Sequence, residues 1–261
     1  MKYLIHILFL FSSLVSIAQE KQALSNEQII KLFKGLRVAD VSDGMDMVGL
    51  KDAGLMDPAI APLWKDIDEF GHQFVGIALT VRYVPTMRPD QPEETGKEAY
   101  IKWRDQWYTH ISGEPFIDSI KPGHVVVIDN ADDGDTGSTG SNNIMIWTSK
   151  GAVGVVSAGG VRDTDEIIKQ RIPMYTNYMK RGRGIRPGRN ELESVNEPVV
   201  VGGVYVVPGD VVVADGDGVI VVPREKAVEV AIAAWDELEK DKEARRKLYE
   251  ELGMPMDFTV D

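Results

Sequence analysis

The chain has 261 residues, of which 43% are hydrophobic and 27% are charged, as is usual for a globular protein with a substantial core. Its formal net charge is −12, and it contains no cysteine. These values exclude a disordered chain and a disulfide-held fold, and the acidity argues against a nucleic-acid-binding protein.

The first 18 residues have the pattern of a secretory signal peptide. Lys2 precedes an apolar run over residues 3–15, and small residues surround a cleavage point after Ala18. The run is too short to span a bilayer, and polar sequence follows at once. We therefore expect a periplasmic or secreted protein, free of the membrane after cleavage, with residues 19–261 as its mature domain. An uncleaved interfacial anchor is the alternative interpretation.

The first half of the mature chain predicts helices and one buried strand. Ser25 and Gln28 form a capping-box pattern at the start of a short amphipathic helix. A second helix is expected over residues 38–48, with Ser42 or Asp43 near its start. Two more elements follow in chain order, namely a strand rich in β-branched residues (74–84) and a helix (98–110).

Strands and helices continue to alternate in the second half. The expected elements are a strand (123–129), a loop (130–143), a helix (144–149), a strand (154–157), a helix (163–170), an irregular basic segment (172–197), two or three short strands (198–223) and a long charged helix (225–252). This alternation predicts one compact α/β domain with a mixed central β-sheet flanked by helices.

A glycine-rich loop over residues 132–143 lies between a buried strand and the helix that follows. Gly134, Gly137 and Gly140 let the backbone approach a ligand, and the N–H groups at the start of the helix would face an anion. The loop lacks the Gly-Lys-Ser/Thr of a P-loop. A solvated turn without a ligand fits the spacing equally well.

A second candidate site is the segment 159–163, directly after a strand. Arg162 can hold a carboxylate through two parallel hydrogen bonds, and Asp163 offers oxygen ligands of the kind that Mg²⁺ prefers. The pair could therefore seat a metal and a substrate acid together. The simpler alternative is that Asp163 caps the next helix and Arg162 is merely exposed.

Five stretches share one order and spacing, namely VSDGM (41–45), FVGIALTVR (74–82), KPGHVVVID (121–129), GAVGVV (151–156) leading to GVRDTDE (160–166), and PVVVGG (198–203) through PGD (208–210) to ADGDGV (214–219). In this order they resemble sequences of the RraA-like family, which includes class II 4-hydroxy-4-methyl-2-oxoglutarate aldolases and inhibitors of ribonuclease. The resemblance covers residues 35–261, nearly the whole mature chain.

The resemblance implies an α/β fold assembled as a homotrimer or homohexamer, with sites between subunits. In the aldolases an Arg-Asp pair followed three residues later by an acid marks the active site, and here these residues are Arg162, Asp163 and Glu166. By resemblance, Asp163 would bind Mg²⁺ or Mn²⁺, partly through waters, while Arg162 and the loop amides would hold the substrate carboxylate. The ribonuclease inhibitors usually lack this Asp, so the resemblance favours an enzyme.

Arg162 and Asp163 are therefore the predicted catalytic residues, and Asp163 is the predicted metal ligand. The predicted substrate-binding residues are Gly140, Ser141, Asn142, Asn143 and Arg162. Ser141-Asn142 stands where the aldolases usually have Gly-Glu, which removes a negative charge from this position. An acid from a neighbouring subunit's C-terminal helix enters the aldolase site. Glu243 is the nearest candidate here, and the simpler alternative is that it faces solvent, as most helical acids do.

Residues 175–189 form a basic segment that is longer than the usual family segment. It contains two tyrosines followed by five basic residues, namely Tyr175, Tyr178, Lys180, Arg181, Arg183, Arg186 and Arg189. Mixed arginine and aromatic surfaces suit acidic sugars. The alternative is a solvated loop that pairs with acids of a neighbouring subunit.

With export, these features favour a metal-dependent lyase on a small carboxylated or acidic-sugar substrate, foremost a dehydratase that eliminates water from the terminal uronic acid of oligosaccharides. The alternatives are an aldolase or oxaloacetate decarboxylase that releases pyruvate, and a non-catalytic periplasmic binding protein. No nucleic-acid partner is expected. The general acid or base stays open between Tyr108, His110 and metal-bound water, and His124 is expected to be structural.

Overall fold

The computed structural model describes residues 24–88, 95–133, 135–180 and 182–260, so the predicted signal peptide, Gly134 and Arg181 lie outside the described residues. The helices are α1 (Asn26–Phe33), α2 (Val38–Met47), α3 (Lys97–His110), α4 (Ser141–Ser149), α5 (Thr164–Lys169) and α6 (Ala227–Leu252). The strands are β1 (Ile60–Pro62), β2 (Phe74–Pro85), β3 (His124–Asp129), β4 (Ala152–Ser157), β5 (Met174–Asn177), β6 (Asn190–Val195), β7 (Val199–Val201), β8 (Val204–Val206), β9 (Val211–Asp215) and β10 (Gly218–Val222). Within these ranges, no helix has the length and apolar character needed to cross a membrane.

Eight strands form one mixed sheet in the order β1-β5-β4-β3-β2-β9-β10, with β6 paired to the second half of β2. The central strands β2, β3, β4 and β5 are parallel, and the remaining strands run antiparallel to their neighbours. The two ends of the sheet meet, because Leu55 forms a bridge with Ile220 of β10 and Met56 N donates to Val219 O at 2.9 Å. The sheet is therefore nearly closed, and β7 and β8 form a separate hairpin.

Strand β3 illustrates why the centre of this sheet is buried on both faces. Successive side chains of a strand point to opposite faces. Val125 and Val127 lie in an inner cluster with side chains of six other strands of the sheet, whereas Val126 and Ile128 lie in an outer cluster. All four side chains are fully buried, which explains the unbroken β-branched run in the sequence.

Helices cover the outer face in two groups. α1, α2 and α6 pack against β9 and β10, while α4 and α5 pack against β3 and β4. Because β3 and β4 are parallel and each leads into one of these helices, the loops that follow them lie at the same edge of the sheet. The fold thereby brings the two predicted site segments together.

The structure confirms the predicted fold class and most of the predicted elements. α1 begins at its predicted capping box, in which Gln28 N donates to Ser25 Oγ at 3.2 Å and Ser25 N donates to Gln28 Oε1 at 2.9 Å. Helix α4 begins at Ser141, three residues before the predicted start.

Three local predictions are wrong. Helix α2 begins at Val38, as predicted, but neither Ser42 nor Asp43 caps its start, because Asp40 accepts a hydrogen bond from Arg37 N at 2.9 Å. Residues 172–197 are not irregular, since they contain β5 and β6. Residues 198–223 contain four strands rather than two or three, because each Gly-containing turn there separates two short strands.

Candidate functional site

The two candidate segments meet at the carboxyl ends of β3 and β4. Asn130 follows β3, and its Oδ1 accepts a hydrogen bond from Gly159 N at 2.7 Å, which ties the two strand ends together. Further along, Arg162 N donates to Thr139 O at 3.0 Å. The glycine-rich loop therefore runs directly beside the Arg162–Asp163 pair.

Asp163 lies immediately before α5 in the left-handed conformation, with φ 58° and ψ 37°. It makes no side-chain capping hydrogen bond to α5, so the simple capping role does not explain it. Its Oδ2 instead accepts from Ser141 N at 3.3 Å. A Cβ at Gly140 would lie 2.5 Å from this oxygen, so the approach requires glycine there. Non-glycine residues in this conformation are strained, and such strain concentrates at functional sites.

Ser141 connects two carboxylates across the first turns of α4 and α5. Its side chain is buried, its N–H faces Asp163, and its Oγ donates to Glu166 Oε2 at 2.5 Å. Asp163 and Glu166 are themselves exposed. Ser141 therefore holds two carboxylates that solvent or a ligand can reach.

Arg162 has an unsatisfied donor. Its Nε is buried and has no hydrogen-bond partner among the described residues, although 38% of the side chain is exposed. The distance from this Nε to Asp163 Oδ2 is 4.0 Å, which is too long for a hydrogen bond. Buried donors are rarely left unpaired in proteins. A ligand carboxylate would supply the missing acceptor.

A buried polar network supports the glycine-rich loop from below. Asp133 accepts hydrogen bonds from Thr136 N at 3.1 Å, Ser138 Oγ at 2.8 Å and Asn190 Nδ2 at 2.9 Å. Burial raises the pKa of Asp133, and these hydrogen bonds oppose the rise. Asn190 also accepts from Ser112 Oγ at 2.8 Å, so the loop is anchored to the chain that follows α3.

The basic segment (175–189) also binds the glycine-rich loop, through backbone hydrogen bonds and ion pairs. Arg183 N donates to Asp135 O at 2.7 Å, and Gly137 N donates to Arg183 O at 3.1 Å. The side chains of Lys180 and Arg183 lie 3.8 Å and 3.7 Å from the Asp135 carboxylate. Lys180 and Arg183 therefore share an acid of the same chain. Pairing of this segment with acids of a neighbouring subunit stays a prediction.

The prediction that Tyr175 and Tyr178 both belong to a sugar-binding surface is wrong for Tyr175. Tyr175 is fully buried in β5, and its hydroxyl donates to His72 O and Asp215 O, both at 3.1 Å. It is therefore a core residue, because its place in β5 turns the side chain into the inner cluster. Tyr178 is exposed, and its hydroxyl donates to Pro62 O at 2.7 Å.

Two of the predicted substrate-binding residues lie further along α4. Asn142 is exposed, whereas Asn143 Nδ2 donates to Glu114 Oε1 at 2.6 Å. Glu114 in turn forms an ion pair with Arg186 of the basic segment. Glu114 could not be identified from the sequence, because an acid in the turn SGEPF carries no signal of a partner 72 residues away.

The remaining candidate side chains lie elsewhere. His124 begins β3, and His72, the other histidine of residues 19–261 besides His110, precedes β2. Both therefore lie at the sheet edge opposite the carboxyl ends of these strands. Burial lowers the pKa of both. His110, in the last turn of α3, is exposed. Glu243 is also exposed and pairs with Lys247 at 2.8 Å within α6.

The carboxylates at and near Asp163 suit an ion such as Mg²⁺, which needs few protein ligands, better than a metal ion that is coordinated only by protein side chains. No group of three or more His, Cys, Asp or Glu side chains in the described ranges could hold a metal ion. Mg²⁺, however, is usually bound through one or two carboxylates and completes its coordination with waters and substrate oxygens. Asp163 and Glu166 are the exposed carboxylates that could serve it.

Comparison with known proteins agrees with this architecture. The family model RraA-like, described as "Aldolase/RraA", matches residues 38–221, which is more than half of the chain. The chain therefore belongs to the RraA-like family.

Three relatives illustrate the range of the family. Protein DlpA of Legionella pneumophila is 28% identical over 196 residues, covering 74% of this chain and 27% of that protein. A 4-hydroxy-4-methyl-2-oxoglutarate aldolase of Thermus thermophilus is 33% identical over 102 residues, covering 39% and 60%. A crystal structure described as novel cellulases from microbes associated with the gut ecosystem superposes with a TM-score of 0.65 at 25% identity, covering 87% and 91%. The chain thus spans less than two thirds of the length of these two curated relatives.

Proposed function

We propose that this protein is a divalent-metal-dependent lyase that cleaves a carbon–carbon bond in a 4-hydroxy-2-oxo acid and releases pyruvate. The unpaired, buried Nε of Arg162 beside Asp163 carries the proposal, because it needs the acceptor that a substrate carboxylate provides. A relative named as an aldolase supports carbon–carbon cleavage over other lyase chemistry.

In the proposed reaction the bond between carbons 3 and 4 breaks, the 4-hydroxyl loses its proton as it becomes a carbonyl, and carbon 3 gains a proton. Arg162 would hold the carboxylate, and Asp163 would hold Mg²⁺ or Mn²⁺ together with waters. When bound, such an ion polarises substrate oxygens as a Lewis acid. Ser141 and Glu166, joined by a hydrogen bond of 2.5 Å, are the candidates for moving the proton.

The dehydratase is the second candidate. Its motivating observation is a cleft of about 420 Å³ lined by Pro85, Asp132, Asp133, Arg183 and Arg189, next to the loop that flanks Arg162. Two exposed guanidinium groups at this place could bind the acid of a uronate. The superposing structure described as a cellulase is a further reason to test saccharide substrates. From the resemblance and the N-terminal pattern we also propose an exported homotrimer or homohexamer.

The decisive assay offers the purified protein a 4-hydroxy-2-oxo acid and, separately, a uronic-acid oligosaccharide. We expect pyruvate from the first substrate, loss of activity on chelation, and recovery with Mg²⁺ or Mn²⁺. Loss of one water from the oligosaccharide without pyruvate from the oxo acid would replace the aldolase proposal with the dehydratase. No product from either substrate would favour the non-catalytic binding protein.

A further inference from the structure

A cleft of about 320 Å³ opens beside the first turn of α4, on the side away from Asp163. Its walls are Tyr108, Gly113, Glu114, Asn143 and Arg186. Asn143 is two residues from Ser141, whose N–H and hydroxyl contact the two carboxylates of the candidate site. The first turn of α4 therefore lies between the cleft and the candidate site.

The cleft is built on a buried ion pair. The Arg186 and Glu114 side chains are only 4% and 11% exposed. The Arg186 guanidinium lies 5.3 Å from the ring centre of Tyr83 and 5.1 Å from that of Tyr108. Burying both charges is costly, and a well-packed apolar pair of similar volume is often at least as stable. A pair retained at the wall of a cleft is therefore a candidate for ligand binding.

The hydrogen bonds already made decide which ligand fits. Arg186 Nη1 uses its two protons on Tyr83 and Ser112, and Nη2 uses one on Glu114. This leaves one Nη2 proton and the Nε proton as donors. Glu114 Oε2 accepts only from Trp147 among the described residues, so it retains acceptor capacity.

Asn143 and Tyr108 add groups of both kinds. Asn143 uses one amide proton on Glu114, which leaves a second proton and its carbonyl oxygen. The Tyr108 hydroxyl makes no hydrogen bond to another described residue and can donate or accept. The cleft thus offers hydrogen-bond donors and acceptors close to one another, and its ion pair carries no net charge. Hydroxyl groups match this pattern because they donate and accept, whereas an anion only accepts.

We propose that this cleft is a subsite for neutral hydroxyl groups and binds the polyhydroxylated end of the substrate. The proposal rests on the proposed function, in which the substrate carboxylate lies at Arg162. It narrows the substrate class from small oxo acids to sugar-derived acids whose hydroxylated chain extends past Asn143.

The kinetic test compares two acids that both yield pyruvate. 4-Hydroxy-2-oxopentanoate ends one carbon after the reacting hydroxyl, whereas a 3-deoxy-2-oxohexonate carries two further hydroxyls. We expect Tyr108→Phe to lower the ratio of their kcat/KM values, longer over shorter, by about three- to ten-fold, the loss of one hydrogen bond to an uncharged group. Tyr205→Phe is the matched control, because Tyr205 is 64% exposed on the β7–β8 hairpin. An unchanged ratio in Tyr108→Phe, or an equal fall in the control, would overturn the subsite.

A binding test separates this subsite from the proposed reaction. Saturation-transfer NMR with D-xylose should give a signal with the wild-type protein that weakens in Tyr108→Phe and persists in Tyr205→Phe. Absence of pyruvate with such a xylose signal would reject the lyase proposal and keep the subsite. Absence of the signal, or its displacement by inorganic sulfate at low millimolar concentration, would overturn the subsite, because sulfate would mark an anion site.

Discussion

Two arginines, Arg162 and Arg186, lie on opposite sides of the first turn of α4 and differ in how their guanidinium groups are satisfied. Arg186 is almost fully buried, and its hydrogen bonds and ion pair reach Tyr83, Ser112 and Glu114. Arg162 has a buried Nε without a partner among the described residues. The paired donors of Arg186 hold it in a framework that forms in the free protein, with one Nη2 proton and the Nε proton left unused. The buried, unpaired Nε of Arg162 instead indicates a place where a ligand completes the contacts.

The same contrast explains the basic segment. Its side chains suggested an acid-binding surface, yet Lys180 and Arg183 share Asp135, and Arg186 belongs to a buried pair. Arg189 Nη1 donates to the backbone oxygen of Ile185 at 2.8 Å. Most of this charge therefore holds the loop in place, and charge density alone did not distinguish support from recognition.

The strongest test of the framework role is Arg186→Ala. It leaves the Glu114 carboxylate buried without its ion partner, so we expect a loss of about 3–5 kcal/mol in the free energy of unfolding, measured by urea denaturation. The double variant Glu114→Leu/Arg186→Met should recover most of this loss, since no unpaired charge remains. A single variant as stable as the wild type would show that the pair is not part of the framework.

Asp163→Asn tests the candidate site beside Arg162 through its effect on activity. We expect pyruvate release to fall by more than about 100-fold, because the carboxylate that would hold the metal ion is lost. Asn tolerates the left-handed conformation, so the thermal midpoint should change little. Asp165→Asn removes an equal charge from an exposed neighbour and should retain activity. Full activity in Asp163→Asn would remove Asp163 from the site.

Arg162→Ala should weaken substrate binding, and we expect a smaller effect than the loss of activity in Asp163→Asn. Loss of a charge-assisted clamp predicts a rise in KM of about ten- to hundred-fold with a modest change in kcat. Stability should be nearly unchanged, because Arg162 supports no described hydrogen-bond network through its side chain. Arg88→Ala, at an exposed pair with Glu191, is the matched control. An unchanged KM would place the substrate carboxylate elsewhere.

The sequence predicted the elements whose burial is uniform. The β3 run VVVI is buried on both faces and reads as a strand without further context. β6, NELESV, was missed because its polar, half-exposed residues carry no strand pattern and its place depends on pairing with the distant β2. The early start of α4 was missed because Ser141, Asn142 and Asn143 have low intrinsic helix propensity, which their tertiary contacts override.

The residues of the candidate site likewise divide into those that the sequence predicted and those that it could not predict. Arg162, Asp163 and the loop could be predicted, because they are adjacent in sequence or follow neighbouring parallel strands. Glu114 and the Asp133 network could not, since their partners lie far along the chain and pair only after the fold forms. Resemblance to the family identified the motif, whereas the contacts that support it arise only in the folded structure.

Asp133 gives the smallest expected effect, in the pH dependence of stability. Burial raises its pKa, so the native state retains the proton at pH values where the unfolded chain has released it. Fewer protons are then bound by the unfolded chain, and the free energy of unfolding falls as pH rises from the ordinary value of 3.8 through the raised native value. Asp133→Asn removes this contribution, so its stability should decline less steeply with pH than that of the wild type. Asp118→Asn, which removes an exposed carboxylate, should follow the wild-type slope. If the free energies of unfolding of Asp133→Asn and of the wild type changed equally with pH, the ionisation of Asp133 would not contribute to the pH dependence of stability.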